Sequence, residues 1–135
     1  MTCFAIDATT LLHLVACGRR ADPAHQLVAP NLIRSHALTL LLQSVLRGEL
    51  TDAEALERHE RITEVKIRLL GDRVSRRTAW KLAREHGWDS IYGAEYIAIA
   101  KLQADQLVTI DPELTAMATG IVPLAPFNRL AAGKR

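Results

Sequence analysis

The chain has 135 residues, 49% of them hydrophobic and 24% charged, with a formal net charge of +2. A chain of that size fits one domain that buries roughly two-thirds of its unfolded surface, and the composition excludes disorder, collagen-like repeats and a coiled coil. So small a charge imbalance also excludes a global field that draws the protein to nucleic acid, so an RNA or DNA partner would have to be met by local patches.

A first strand is predicted over 3–6, ending at Asp7, followed by a helix over 9–17 that Gly18 and a polar loop through Asp22 and Pro23 bring to a stop. Residues 26–29 read as a second strand stopped by Pro30, after which Asn31 caps a long apolar helix reaching Arg47. Thr51-Asp52-Ala53-Glu54 is a capping-box pattern whose helix should run to about Thr63. Residues 65–70 read as a third strand, and 72–86 as a basic helix with Gly87 as its stop. Asp89 is placed to cap a further helix through Leu102. Residues 107–110 form a fourth predicted strand that ends at Asp111, Pro112 and Glu113 open a short helix, and 121–124 read as the last strand. From Phe127 a helical turn leads into a frayed basic end. Short apolar runs alternating with helices mean βαβ units. The expected class is therefore α/β: a single three-layer domain over 1–135 with a mainly parallel central sheet of about five strands flanked by helices.

Cys3 and Cys17 have neither metal-ligand spacing nor the numbers of a disulfide framework, and they read as small buried hydrophobes in a reducing cytosol. Leu14-Val15-Ala16-Cys17 has the look of a lipoprotein cleavage box. Residues 1–12, however, hold no Lys or Arg and do hold Asp7, unlike the basic start of a signal peptide. No apolar run approaches the ~20 residues of a membrane span. The expectation is a cytoplasmic protein with no membrane partner.

In a parallel α/β sheet, ligands bind beyond the carboxyl ends of the strands, near the switch in strand order. Two predicted strands end in aspartate, at Asp7 and Asp111. If they are neighbours, a hard divalent cation would relieve the repulsion of their carboxylates. Spacing equally allows both to be helix caps, Asp111 with Pro112 at the first helical position. On the helix after Asn31, His36, Thr39 and Gln43 fall at i, i+3 and i+7, a polar stripe among leucines. His36 is its one strong ligand type, and it can equally be a hydrogen-bonded or solvent-facing histidine. Arg73, Arg77, Lys81 and Arg84 share one face of the basic helix, either as a phosphate-contacting ridge or as a solvated surface. Trp80, Trp88, Tyr92 and Tyr96 read as helix-face packing. The sequence has no Gly-rich phosphate loop, no Ser-His-Asp order and no Cys/His knuckle. A phosphoacceptor reading of Asp7 lacks the lysine beyond a strand end that such sites need.

Three segments together resemble the PIN-domain family. Ile6-Asp7-Ala8-Thr9 resembles its first motif, Tyr92-Gly93-Ala94-Glu95-Tyr96-Ile97-Ala98-Ile99-Ala100 its "YDAEYVALA" helix, and Leu107-Val108-Thr109-Ile110-Asp111 its "LVTxD" strand end. Arg47-Gly48-Glu49-Leu50 and Ala79-Trp80-Lys81-Leu82-Ala83 are similar to the VapC toxin branch, and the likeness runs from about Cys3 to Leu124. The resemblance implies a Mg²⁺- or Mn²⁺-dependent endoribonuclease, homodimeric and partnered by a VapB-like antitoxin. In that family a tetrad of acidic residues gathers metal ions that activate water for phosphodiester hydrolysis. Asp7 and Asp111 match the first and last of the tetrad. His36 stands where the helix glutamate is expected, and Gly93 where the "YDA" aspartate is expected. These changes remove two negative charges and tilt an oxygen-rich site toward Mn²⁺.

Asp89, four residues before Gly93 and so about one turn away, is either a displaced replacement carboxylate or the cap of that helix. Glu95 points away. The resemblance therefore nominates Asp7, Asp111 and Asp89 as catalytic and Asp7, Asp111 and His36 as metal ligands. Thr9 and Thr109 stand behind them as supporting hydroxyls, and Arg73, Arg77, Lys81 and Arg84 as RNA contacts. The alternative it leaves is a catalytically inactive PIN-fold module that binds RNA or an antitoxin-like protein.

Overall fold

Each strand of this chain is short and apolar, and the sheet they build decides where the polar chemistry collects. The computed structural model describes residues 2–131. In chain order the elements are β1 (Cys3–Ile6), α1 (Ala8–Ala16), β2 (Gln26–Pro30), α2 (Ile33–Leu46), α3 (Asp52–Thr63), β3 (Arg68–Leu70), α4 (Arg73–His86), α5 (Tyr92–Gln103), β4 (Gln106–Val108), α6 (Pro112–Ala118) and β5 (Leu124–Ala125), then a 3₁₀ turn, Phe127–Arg129. The five strands pair in the order β3-β2-β1-β4-β5, and every pairing is parallel. The expected α/β class with a parallel central sheet is what the molecule has.

The layers follow from the handedness of crossovers. β1, β2 and β3 are laid down in one direction, and the chain then returns past β1 to place β4 and β5 on the other side. Right-handed connections put the helices of the two directions on opposite faces. Accordingly α1, α2 and α3 pack on one another, while α5 lies against β1, β2 and β4 with α4 and α6 beside it. Covered on both faces, the inner strands are continuously apolar: Phe4, Ile6, Leu27, Val28, Leu107 and Val108 are buried. Residues Tyr96 to Ala100 of α5 are all buried too, so this helix is enclosed all round instead of being amphipathic. α4 is its opposite: Ser75, Ala79, Leu82 and Ala83 face inward, and its outer surface is mostly charged, with Val74 and Trp80 exposed among the charges.

Local capping signals act as expected. Thr51 and Glu54 form a reciprocal capping box, and so do Asp72 and Ser75. Gly87 ends α4 with φ 72°, a left-handed conformation that suits glycine. Other expectations need correction. Asn31 does not cap α2, which begins after Leu32. Its N–H instead donates to the Leu70 carbonyl at 2.9 Å, and its side chain covers Gly71 so closely that a Cβ there would lie 2.4 Å from Nδ2. The third strand starts at Arg68, not at 65, and pairs over Arg68–Leu70 with Val28–Pro30 of β2. The fourth ends at Val108, opposite the last residue of β1. The last strand is Leu124–Ala125 instead of 121–124. Cys3 is half-buried and Cys17 is exposed, so neither is an enclosed core cysteine. The basic end beyond Ala131 lies outside the described residues. No helix among the described residues is long and apolar enough to cross a membrane.

Candidate functional site

Strand order reverses between β1 and β4, and this switch point is where a parallel sheet opens a crevice at its carboxyl edge. β1 delivers Asp7 there, and the residues after β4 deliver Thr109 and Asp111. Asp7, His36, Asp89, Gly93, Tyr96 and Asp111 line a single cleft of about 530 Å³, together with Trp88, Tyr92, Glu113, Leu114 and Met117. The two strand-end aspartates and the α2 histidine, far apart in sequence, thus face one space.

Their settings differ. Asp7 occupies the N-cap position of α1 but makes no side-chain cap bond. It is 2% exposed, and its Oδ1 accepts the hydroxyl proton of Thr10. Burial pushes its carboxyl above the usual range, against hydrogen bonds from Thr10 and Thr109 that favour the charged form; the nearby Asp111 carboxylate adds to the rise. Thr10 Oγ1 also accepts from Ile110 N–H at 3.1 Å, and Thr109 Oγ1 from Asp111 N–H at 3.1 Å. Two threonines therefore tie the end of β1 to the turn after β4. Asp111 is a cap in fact, its Oδ1 accepting from Glu113 N–H at 3.3 Å, and it still lines the cleft. Of the supporting hydroxyls, Thr109 reaches Asp7, whereas on α1 it is Thr10, one turn after Asp7, that does so in place of Thr9.

His36 is half-buried, and its Nδ1 lies 2.8 Å from the Tyr96 hydroxyl. Tyr96 is 2% exposed, and its phenol is pushed far up by burial and by the charge of Asp7. The Ala8 amide also donates to the Tyr96 oxygen. The tautomer decides which of the pair donates, and with it whether Nε2 carries a proton or a lone pair.

Gly93 lies in the first turn of α5. A Cβ at this position would stand 2.8 Å from Met117 Cε, 3.1 Å from its Sδ and 3.7 Å from Leu114 Cδ1. The volume a larger side chain would take is held by apolar atoms of α6. Asp89 is not a helix cap: α5 starts at Tyr92 after Ile91. Asp89 sits exposed in the connecting loop at the cleft rim, so the one-turn relation to Gly93 does not apply. Glu95 is partly buried on the side of Arg76, away from the cleft. Among the described residues, no three His, Cys, Asp or Glu side chains gather as a metal ion would need.

Arg73, Arg77, Lys81 and Arg84 are all exposed along α4. Trp80, read as packing, is instead 63% exposed, and helical spacing sets it between Arg77 and Arg84 on the same ridge. Tyr92 is 65% exposed at the cleft mouth. The ridge ends at Gly87 and Trp88, which are themselves cleft residues.

No protein-family model and no curated protein matches the chain. In fold it is similar to the crystal structure of PAE2754 from Pyrobaculum aerophilum, with a TM-score of 0.69 and 22% identity, covering 94% of this chain and 92% of that one.

Proposed function

We propose that this chain is a PIN-type, VapC-like protein that engages RNA at the Asp7–His36–Asp111 cleft and has lost the family's hydrolytic centre. The observation that carries this reading is the occupation of the Gly93 position by Met117, where the resemblance calls for a carboxylate. The other donors agree. Asp7 is enclosed, its carboxyl pushed up by burial, and one ring nitrogen of His36 is already engaged by the Tyr96 hydroxyl. This set does not fit Mg²⁺, which needs several oxygen ligands in near-octahedral array, and it fits Mn²⁺ little better. What supports contact with RNA stands beside this acidic lining: a cationic ridge leading to the cleft and two exposed aromatic rings.

The test uses the purified chain, free of any antitoxin, with a labelled single-stranded RNA in EDTA, in Mg²⁺ and in Mn²⁺, beside Asp7→Asn. The expected result is RNA binding that needs no divalent ion, with no cleavage above that of Asp7→Asn. Metal-dependent cutting that disappears in Asp7→Asn would instead establish the second reading, a thinned endoribonuclease, which the convergence of Asp7 and Asp111 in one cleft favours. A VapB-like antitoxin and a second copy of the chain are the protein partners this reading carries. Leu38, Leu42 and Leu46, exposed at i, i+4 and i+8 on α2, offer an apolar face for one of them. A cytoplasmic setting goes with the same reading.

A further inference from the structure

A second concavity lies at the opposite end of the sheet. Because all strands are parallel, the starts of β2 and β3 meet at one edge, where Gln26, Leu27 and Arg68 border a cleft of about 910 Å³. Residues 18–23 form one wall, and Arg61 with residues 64–68 forms the other. Five cations, Arg19, Arg20, Arg61, Lys66 and Arg68, line it against two carboxylates, Asp22 and Glu64. That local excess is larger than the +2 of the whole chain, so the charge here is concentrated by the fold. Asp22 is already engaged: it accepts from Ala24 N–H at 2.9 Å and lies 3.9 Å from His25 Nε2.

The cleft is built and not a gap in a loose loop. Asp22 N–H donates to the Leu130 carbonyl at 2.8 Å, His25 N–H to the Asp22 carbonyl at 3.0 Å, and Gln26 N–H to the Thr2 carbonyl at 2.9 Å. Val15, Leu27, Val65 and Ile67 give it an apolar lining. His25 lines it as well, its ring held edge-on against Phe4.

We propose that this cleft binds a small molecule through a di- or triphosphate group, and that a nucleoside triphosphate is its best-fitting class. Guanidinium forks and an ammonium carried on both walls suit several phosphate oxygens at once. The apolar lining suits a base and sugar, and the volume lies within the roughly 300–1,000 Å³ of small-ligand pockets. The cations of α4 contrast with this: they are strung along a 14-residue helix, as a polymer would require. The cleft is at the amino edge of the sheet, so it owes nothing to the Asp7 site or to the RNA reading.

Calorimetric titration of the whole chain in EDTA tests it, with inorganic tripolyphosphate, ATP and GTP as probes. Both nucleotides are expected to bind with an affinity that falls with salt. Lys66→Glu combined with Arg68→Glu, both at exposed positions, is expected to weaken them by about tenfold or more. Arg61→Gln should weaken them less, and the exposed Lys101→Glu should leave them unchanged. Equal affinity for tripolyphosphate and ATP upholds the phosphate site and assigns recognition to the phosphates alone. Two results overturn the proposal: no heat from any phosphate probe at about 5 mM, a concentration that fills a millimolar site; or undiminished affinity in both the double variant and Arg61→Gln while each remains folded by circular dichroism. No RNA cleavage or RNA affinity enters the readout, so failure here and failure of the RNA reading are separate results.

Discussion

At the scale of single residues, Asp7 is where burial and hydrogen bonding compete. Desolvation raises its pKa by more than the Thr10 and Thr109 hydroxyls lower it. The native state therefore keeps this proton to a higher pH than the unfolded chain does, whose aspartates ionise near ~3.9. Stability consequently falls as pH rises from that value through the native pKa, and it is flat above it. Asp7→Asn keeps the shape and removes the charge, so its Tm relative to the parent is expected to increase between about pH 4 and about pH 7. A Tm difference that is the same in melting curves at both pH values would remove desolvation as the dominant influence on Asp7. Gly93 tests the loss of the metal set. Gly93→Asp displaces only the flexible end of Met117 and places an acid in the first turn of α5, where the helix dipole favours it. Combined with His36→Glu, it is expected to create a Mn²⁺-dependent rise in Tm that the parent lacks. An equal rise in the parent would mean its own donors already suffice. Strand ends and a lone polar stripe left Asp7, Asp111 and His36 open between caps, surface or hydrogen-bonded groups and cleft residues, and it was the family resemblance that nominated them. Thr10, Tyr96 and Met117 were not nominated. Thr10 differs from Thr9 only by the rotation of one helical residue, and the contacts of Tyr96 and Met117 depend on how α2, α5 and α6 come together.

Among the elements, α4 shows what local sequence carries and what it does not. Its bounds follow from the Asp72–Ser75 box and from Gly87, groups that act within a turn of themselves, and the same holds for α3 with Thr51 and Glu54. The strands behave otherwise. β4 ends where β1 stops supplying partners, and β3 pairs with only the last three residues of β2, so the extent of both is set by register with strands far along the chain. The start of α2 was misplaced for a related reason: Asn31 bonds to the end of β3 instead of to the helix that follows it. Trp80 was misread because a large aromatic is usually buried, whereas here it stands on the charged face of α4. An exposed indole between Arg77 and Arg84 adds little to folding, so Trp80→Ala is expected to change stability by less than about 0.5 kcal/mol. Under the RNA reading it removes one stacked base, about 1–3 kcal/mol, and weakens single-stranded RNA by about tenfold or more. Anisotropy titrations of both proteins measure this. Unchanged affinity would take the ridge out of the RNA path.

The whole molecule is organised by one reversal in strand order, and no short segment encodes it. The alternation of strands and helices announced a parallel sheet, but the order β3-β2-β1-β4-β5 arises from which edge each crossover takes. That choice puts β1 at the centre, sends Asp7 to the carboxyl edge beside the turn after β4, and leaves the basic cleft at the far edge. The two clefts share no lining residue, yet they share one core, in which Ile97 of α5 is fully buried. Ile97→Ala removes methyl groups that pack on the sheet and is expected to cost about 2–5 kcal/mol. In a chain this small, the loss should appear as one cooperative transition at lower temperature or denaturant, with both clefts failing together. The charge variants should behave in the opposite way, each changing binding at one end and leaving the melting transition nearly in place. Two separate transitions in Ile97→Ala, one followed by the fluorescence of Trp80 and Trp88 beside the first cleft and another by circular dichroism, would mean that the two ends of the sheet fold as independent units. A core this continuous, running through β1, β2, β4 and α5, argues for one.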